Sequence, residues 1–199
     1  PMHYRKKPIT TMKANVLGLW NILEGLKVKN KNKTLFFFSS SEIYGDPDKK
    51  YIPTKEDYNG NVSSTGPRAC YDESKRFGET LVINYSKQFN FKSVIIRPFN
   101  NYGPGMKLND KRVLPDFIGN IIKNENLILY SDGTPTRTYC YISDAIIGYL
   151  KAIKNAKFGS IYNIGCARPE ISTLKLAKIV TKLSKNDALV HFLGQPTVH

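Results

Sequence analysis

The stretch that decides the fold is Thr34-Leu35-Phe36-Phe37-Phe38-Ser39-Ser40-Ser41-Glu42-Ile43-Tyr44-Gly45, answered further on by Gly66-Pro67-Arg68-Ala69-Cys70-Tyr71-Asp72-Glu73-Ser74-Lys75. Its first five residues include four large apolar side chains without alternation, which predicts a strand buried on both faces, as in a parallel sheet. The serines that follow put hydroxyls at the C-terminal end of that strand. The second stretch opens a helix predicted over 68–89, and its Tyr71 and Lys75 fall one turn apart on the same face. Residues 93–96 then read as another buried strand, ending in Arg97-Pro98-Phe99-Asn100-Asn101-Tyr102-Gly103-Pro104-Gly105. Strand, helix, strand at these intervals is the α/β order. Ligands in such sheets bind beyond the carboxyl ends of the strands, where the polar clusters fall.

Upstream, residues 13–27 repeat apolar side chains at helical spacing: Val16, Leu19, Trp20, Leu23 and Leu26. Thr11 is placed to cap that helix, Gly18 to let it pack closely on a sheet, and a basic turn at 30–33 leads into the Phe-rich strand. The helix over 68–89 is expected to turn Phe77, Leu81, Val82, Tyr85 and Phe89 inward and to stop at Asn90. Downstream come a helix over 113–123 with Pro115 in its first turn, a basic loop at 107–111 before it, and a strand over 127–130. A turn at 131–135 precedes Arg137 and Tyr139-Cys140-Tyr141. The rest is a helix over 144–155 capped by Ser143, a strand over 160–164, and a helix over 173–184 capped by Ser172.

A chain of 199 residues with 41% hydrophobic and 23% charged residues can bury a core and reads as globular. No apolar run approaches the length of a membrane span and no leader-like pattern opens the chain, so the expectation is a soluble, cytoplasmic protein with no membrane partner. Cys70, Cys140 and Cys166 lack paired ligand spacing, which predicts buried thiols and no metal site. The formal charge of +14 invites a nucleic-acid reading. The lysines are scattered, however, and no recognition-helix or RNA-binding signature accompanies them. A basic surface that favours a diphosphate substrate is the milder explanation, and no nucleic-acid partner is expected.

Tyr71 and Lys75 matter because hydride transfer at a carbinol carbon requires proton transfer at its oxygen. A tyrosine of ordinary pKa, about 10, is a poor base at neutral pH, and a nearby ammonium is expected to favour the phenolate. Ser40 can hold the same substrate oxygen. A Tyr-x-x-x-Lys pair alone is more often an exposed helical pair. Joined to a strand-end serine and to the Arg97–Asn100 cluster after the next strand, it points to proton and hydride chemistry.

These motifs resemble the extended short-chain dehydrogenase/reductases, the NAD-dependent sugar epimerase/dehydratases. The resemblance runs from Asn15-Val16-Leu17-Gly18 and Asn21-Ile22-Leu23-Glu24 to Tyr162-Asn163-Ile164-Gly165. It is nearest to UDP-glucuronate decarboxylase-like members, through Ser39–Pro47 and Gly66–Arg76. The resemblance implies a partial Rossmann-like, doubly wound parallel sheet with a small mixed substrate-binding lobe. Residues 1–105 would be the C-terminal part of an NAD-binding domain, and 106–199 mainly the substrate lobe, with segments returning to the sheet. It implies Ser40, Glu42, Tyr71 and Lys75 as catalytic residues, and Asn15, Ser39, Tyr71, Lys75, Pro98 and Phe99 as the NAD-facing set. Ser41, Asn100, Arg112 and Arg137 would face the substrate. An arginine at 137 suits a diphosphate, since its planar fork matches phosphate oxygens; standing alone, it would read as an anchor to a surface carboxylate.

Glu42 separates the subclasses. The family's 4,6-dehydratases follow the hydroxyl residue with Asp-Glu, whereas here Ser41 precedes Glu42, as the decarboxylases keep only the Glu. The implied reaction oxidises C4 of UDP-glucuronate with NAD, loses CO2 from the β-keto acid, and returns the hydride. A 4-epimerase, a 4,6-dehydratase, an inactive structural or binding fragment, and a basic nucleic-acid-associated protein are the alternatives, the last the weakest. The resemblance also implies truncation at both ends. The Gly-x-x-Gly-x-x-Gly turn that receives the pyrophosphate is not among these residues, nor is the family's Asp-Asp-Pro-x-x-Arg-like segment. Gly105 stands where many decarboxylases have Arg. The isolated chain is therefore expected to bind NAD weakly or not at all in a calorimetric titration. A homodimer through the helices over 13–27 and 68–89 is expected of the complete form.

Overall fold

The computed structural model describes residues 2–29, 33–108, 111–155, 157–184 and 189–193. Most of the basic turn at 30–33, part of the loop at 107–111, and 194–199 lie outside them. In chain order the elements are α1 (Met2–Lys6), α2 (Pro8–Lys29), β1 (Thr34–Phe38), α3 (Ala69–Phe89), β2 (Lys92–Pro98) and β3 (Asn101–Tyr102). Then follow α4 (Val113–Ile122), β4 (Leu127–Leu129), β5 (Thr136–Arg137), β6 (Cys140–Tyr141) and α5 (Ile142–Asn155). The last are β7 (Ile161–Ile164), β8 (Ile171–Ser172), α6 (Thr173–Ser184) and β9 (Val190–Phe192). They form two compact units, one of His3–Phe99 with Ser143–Gly165, the other of Asn100–Ile142 with Cys166–His199.

The first unit is a parallel sheet in the order β1-β2-β7. Phe36 stands opposite Val94, Phe37 opposite Ile95, and Ile95 opposite Ile161. β2 is the central strand, and its Val94, Ile95 and Ile96 are fully buried, which is why it reads as an unbroken apolar run. β1 differs from the expectation of burial on both faces. Its side chains are half-buried and Phe38 is 43% exposed, because β1 pairs only with β2 among the described residues. Leu19 and Leu23 of α2 and Leu81 and Val82 of α3 pack with Phe91 and Ile95 on one face. Ala152 and Tyr149 of α5 pack with Val94 and Ile96 in a separate cluster.

Three expectations about these helices need correcting. Thr11 lies inside α2, which begins at Pro8, so it caps nothing; its hydroxyl donates back to the Lys7 carbonyl. Trp20, Phe77 and Phe89 are exposed rather than inward, since the buried stripes of α2 and α3 are narrower than the run of apolar residues on each. Close packing is also the property of a different glycine. Nothing lies within 4 Å of a side chain placed at Gly18, whereas a Cβ at Gly78 would sit 2.8 Å from the Phe37 ring. The end of α3 is as expected, with Asn90 in the left-handed conformation and its amide closing onto the Ser86 carbonyl.

The second unit packs α4 and α6 on the β4–β9 pair, with Phe117, Leu127, Leu129, Leu176 and Ala177 buried between them. The Ser172 hydroxyl accepts the Lys175 amide at 3.1 Å and caps α6. The expected Ser143 cap does not form, because α5 already begins at Ile142.

Candidate active site

The first unit carries the site at the C-terminal end of β1. After Phe38 the chain leaves the sheet with one last bond, from the Ser39 amide to the Ile96 carbonyl at 2.7 Å. Ser40 then caps a short 3₁₀ turn, Ser41–Tyr44, its hydroxyl accepting the Glu42 amide at 3.2 Å. Gly45 closes the turn, its amide bonded to the Glu42 carbonyl and its φ at +65°. A Cβ there would lie 1.8 Å from the Asn61 carbonyl oxygen, so only glycine fits. The turn is held from outside by Arg76, whose Nη1 donates to the carbonyls of Ile43 and Asn59, each at 2.8 Å.

α3 delivers the other half. Ser74 donates to the Tyr71 carbonyl and accepts the Asn15 amide, both at 2.8 Å, so Asn15 ties α2 to the turn of α3 that bears Tyr71. The Ser40 side chain lies near enough to the Tyr71 phenol to pull its pKa down. Lys75 Nζ donates to the Phe38 carbonyl at 2.9 Å and stands 6.0 Å from the centre of the Tyr71 ring. Ser40, Tyr71 and Lys75 thus meet where β1 ends, with Glu42 two residues beyond Ser40. Ser41 is half-buried in the same turn. Pro98 and Phe99 end the neighbouring strand, with the Phe99 amide bonded to the Ile164 carbonyl at 2.9 Å.

The electrostatics overturn one expectation. The phenol is not shifted toward phenolate. Burial pushes the Tyr71 pKa up, Ser40 pulls against it, Glu42 and Asp72 push it further, and Arg68 opposes them. Lys75 does not offset this, because its ammonium is bonded to a backbone carbonyl and its own pKa is lowered by burial. Tyr71 rests as a proton donor.

Three residues at the site escaped the sequence reading: Arg68, Asp72 and Tyr4. Arg68 Nη2 is ion-paired to Glu42 Oε2 and lies 3.8 Å from Asp72 Oδ1. Tyr4 stacks on Tyr71 with ring centres 5.4 Å apart, and the Arg68 guanidinium sits 6.0 Å over the Tyr4 ring. Burial disfavours the Arg68 charge, but Glu42, Tyr4 and Asp72 more than compensate, and its pKa rises. The Arg68–Asp72 spacing is a readable i, i+4 ion pair; Tyr4 carried no signal.

Asp72 is buried, and its Oδ1 has no hydrogen-bond partner among the described residues. Its pKa is raised to about 6, by burial first and then by Glu42 and Glu73, with Arg68 opposing. A carboxyl raised above its unfolded value contributes stability that is complete below the unfolded pKa and lost as pH rises through about 6. Asp72→Asn is therefore expected to stabilise the fold at pH 8 by about 2–3 kcal/mol, the gap closing by pH 4. Urea unfolding at the two pH values measures this, and an equal gap at both would rule out the Asp72 charge as its source.

Asn100, Arg112 and Arg137 lie in the second unit. The Asn100 carbonyl accepts the Cys140 amide at 3.2 Å. Arg112 precedes α4 and, with Lys107 and Gly105, lines a cavity of about 460 Å3. Arg137 is exposed and donates to the Thr136 carbonyl at 2.7 Å; Glu170, across the β5–β8 pair, bonds Thr136 rather than Arg137. No helix of the described residues is long and apolar enough to cross a membrane.

Comparison with known proteins adds to this geometry. UDP-glucuronic acid decarboxylase 6 of Arabidopsis thaliana is 40% identical over 187 residues, which are 94% of this chain and 53% of that protein. The chain spans about half the length of the curated relatives it matches. Among solved structures, a UDP-glucose 4-epimerase of Thermotoga maritima bound to UDP-glucose superposes with a TM-score of 0.87 at 21% identity, over 98% of this chain and 61% of that one. A UDP-glucuronic acid 4-epimerase of Bacillus cereus, in complex with UDP-glucuronic acid and NAD, gives 0.72 at 28% identity, over 92% and 55%. The sheet is thus the Rossmann-like one of these enzymes. With residues 1–165 matching its profile, the chain belongs to the NAD dependent epimerase/dehydratase family.

Proposed function

We propose that the protein carrying this chain modifies a UDP-sugar with NAD, and that its reaction is decarboxylation of UDP-glucuronate through a 4-keto intermediate. The observation that carries this reading is the Ser40–Tyr71 hydroxyl pair at the end of β1, with Lys75 beside it and a single carboxylate, Glu42, in the adjoining turn. The identity to a UDP-glucuronic acid decarboxylase supports the choice of substrate. The residues also fit the nicotinamide–ribose half of NAD. Ser39 Oγ is buried with no hydrogen-bond partner among the described residues, a polar atom that a ligand hydroxyl would satisfy. Tyr71, Lys75 and the ends of β1 and β2 at Ser39, Pro98 and Phe99 would hold that half. Bound there, NAD supplies the hydride acceptor for oxidation at C4 and the hydride for the final reduction.

Ser40 and Tyr71 act on the C4 oxygen. Tyr71 in its ionised form, the minor one at neutral pH because its pKa is raised, takes the C4 hydroxyl proton by way of Ser40 as C4 is oxidised and so becomes the phenol. The C5 carboxylate is then β to a ketone, and its bond to C5 breaks with the electron pair delocalised into the C4 carbonyl. Negative charge develops on the C4 oxygen, where a buried tyrosine with a raised pKa donates a hydrogen bond. Arg112 and Arg137 would take the diphosphate, and Ser41 and Asn100 the sugar. Glu42 is already paired to Arg68 and has Ser41 before it, so the turn itself carries one carboxyl rather than an adjacent pair. A second reading, 4-epimerisation, is supported by the 28% identity to a UDP-glucuronic acid 4-epimerase. Exposed Leu17, Ile22 and Phe77 on α2 and α3 support a homodimer through those helices.

Incubating the full-length gene product with NAD and, separately, UDP-glucuronate, UDP-glucose and dTDP-glucose separates these readings. CO2 and a pentose nucleotide from UDP-glucuronate are expected. Conversion to the C4 epimer without CO2 would replace decarboxylation by epimerisation, and no product from any of the three would sink both.

A further inference from the structure

Arg68 touches every charged group around Tyr71 except Lys75. It is ion-paired to Glu42, lies 3.8 Å from Asp72, and stacks over Tyr4, which itself lies on the Tyr71 ring. Its Nε is buried without a hydrogen-bond partner among the described residues, so the guanidinium presents only its Nη end to the two carboxylates. Arg68 precedes the first residue of α3, so its backbone is fixed by the helix that bears Tyr71, and Glu42 by the turn that bears Ser40. One side chain thus spans the two elements whose hydroxyls must meet at a single substrate oxygen.

We propose that Arg68 is a positioning residue: it fixes the Glu42 carboxylate beside the Ser40–Tyr71 pair and, by sharing its charge with Asp72, couples that orientation to the protonation of Asp72. This rests on the reading of Ser40, Glu42 and Tyr71 given above. The groups that face Asp72 are Arg68 and Glu73 from its own helix, Glu42 from the 3₁₀ turn, and the Tyr4 and Tyr71 phenols. When Asp72 is ionised, two carboxylates compete for one guanidinium. When it is protonated, Arg68 belongs to Glu42 alone. Asp72 titrates at about 6, so the exchange falls inside the range in which an enzyme can be assayed. Both carboxylates are met by the same nitrogen, Nη2, whose place is set by the rigid guanidinium plane; an ammonium on a flexible stem does not hold that position as closely.

The test uses the full-length gene product and the variants Arg68→Met, Arg68→Lys and Asp72→Asn, assayed for turnover of UDP-glucuronate from pH 5 to 8. Arg68→Met is expected to lower kcat by about 100-fold through misplacement of Glu42, with KM for the sugar nucleotide within a few-fold. Arg68→Lys should recover part of the loss. An inflection near pH 6 in kcat should be present in the parent and absent from Asp72→Asn. Carboxyl 13C NMR of Asp72 gives a readout independent of turnover: its midpoint should rise in Arg68→Met. Full kcat in Arg68→Met, an inflection that survives Asp72→Asn, or an unmoved Asp72 midpoint would each overturn the proposal. A parent without any turnover would instead refute the function proposed above, and the NMR titration would still decide the Arg68–Asp72 coupling.

Discussion

Under the reaction proposed above, Tyr71→Phe is expected to lower kcat of the full-length gene product on UDP-glucuronate by about 10³-fold, within the range that a positioned proton donor contributes. The substitution removes one oxygen and leaves the ring, so the stack on Tyr4 and the packing of α3 remain. What is lost is the proton that a buried phenol beside Ser40 keeps at neutral pH. KM for the sugar nucleotide should move by no more than a few-fold, since the interaction is made chiefly as charge develops on the C4 oxygen. Lys75→Met should act differently, because its ammonium is bonded to the Phe38 carbonyl, and its loss should appear first as weaker NAD binding. A Tyr71→Phe variant within tenfold of the parent kcat would mean that the proton comes from elsewhere.

Glu79→Gln is expected to cost about 3–5 kcal/mol of folding stability, the scale of leaving a buried charge without its partner. Arg97 and Glu79 are 5% and 7% exposed and meet in a two-pronged pair, Nε to Oε1 at 2.9 Å and Nη2 to Oε2 at 2.7 Å. The remaining donor, Nη1, reaches the Tyr44 hydroxyl at 2.5 Å and the Glu56 carbonyl at 2.8 Å. The Tyr44 hydroxyl in turn donates to Asn163 Oδ1 at 2.8 Å. One buried guanidinium therefore joins β2, α3, the 3₁₀ turn and the loop before Tyr58. Replacing both partners with apolar residues, Arg97→Met with Glu79→Leu, should recover much of the loss, because the desolvation cost disappears with the charges. Urea unfolding of the single and double variants measures both effects, and a loss below about 1 kcal/mol for Glu79→Gln would place the pair among the weak surface type.

The contrast between these two sites shows what was legible beforehand. Ser40, Tyr71 and Lys75 could be read because strand ends and helix turns fix their positions locally: an apolar run must stop somewhere, and residues four apart on a helix share a face. Glu79 and Arg97 lie 18 residues apart on different elements, so nothing in their spacing marks them as partners. Trp20 and Phe77 were misplaced for a related reason. Helical periodicity places apolar residues on a side of the helix, but the width of the stripe that is covered depends on what packs there. The expected effect of Lys75 on the phenol failed because a lysine is long enough to choose its partner. It found a backbone carbonyl, and the distance from its charge to the ring could not be foreseen from four residues of helix.

The absence of room at Gly45 has a genetic counterpart. Every single-base change that puts a side chain at codon 45 must displace the Asn61 backbone or break the turn. In a saturation library this position should tolerate no replacement. The side chains that hang from this bend are free to change, but the bend itself has no neighbouring sequence to drift to.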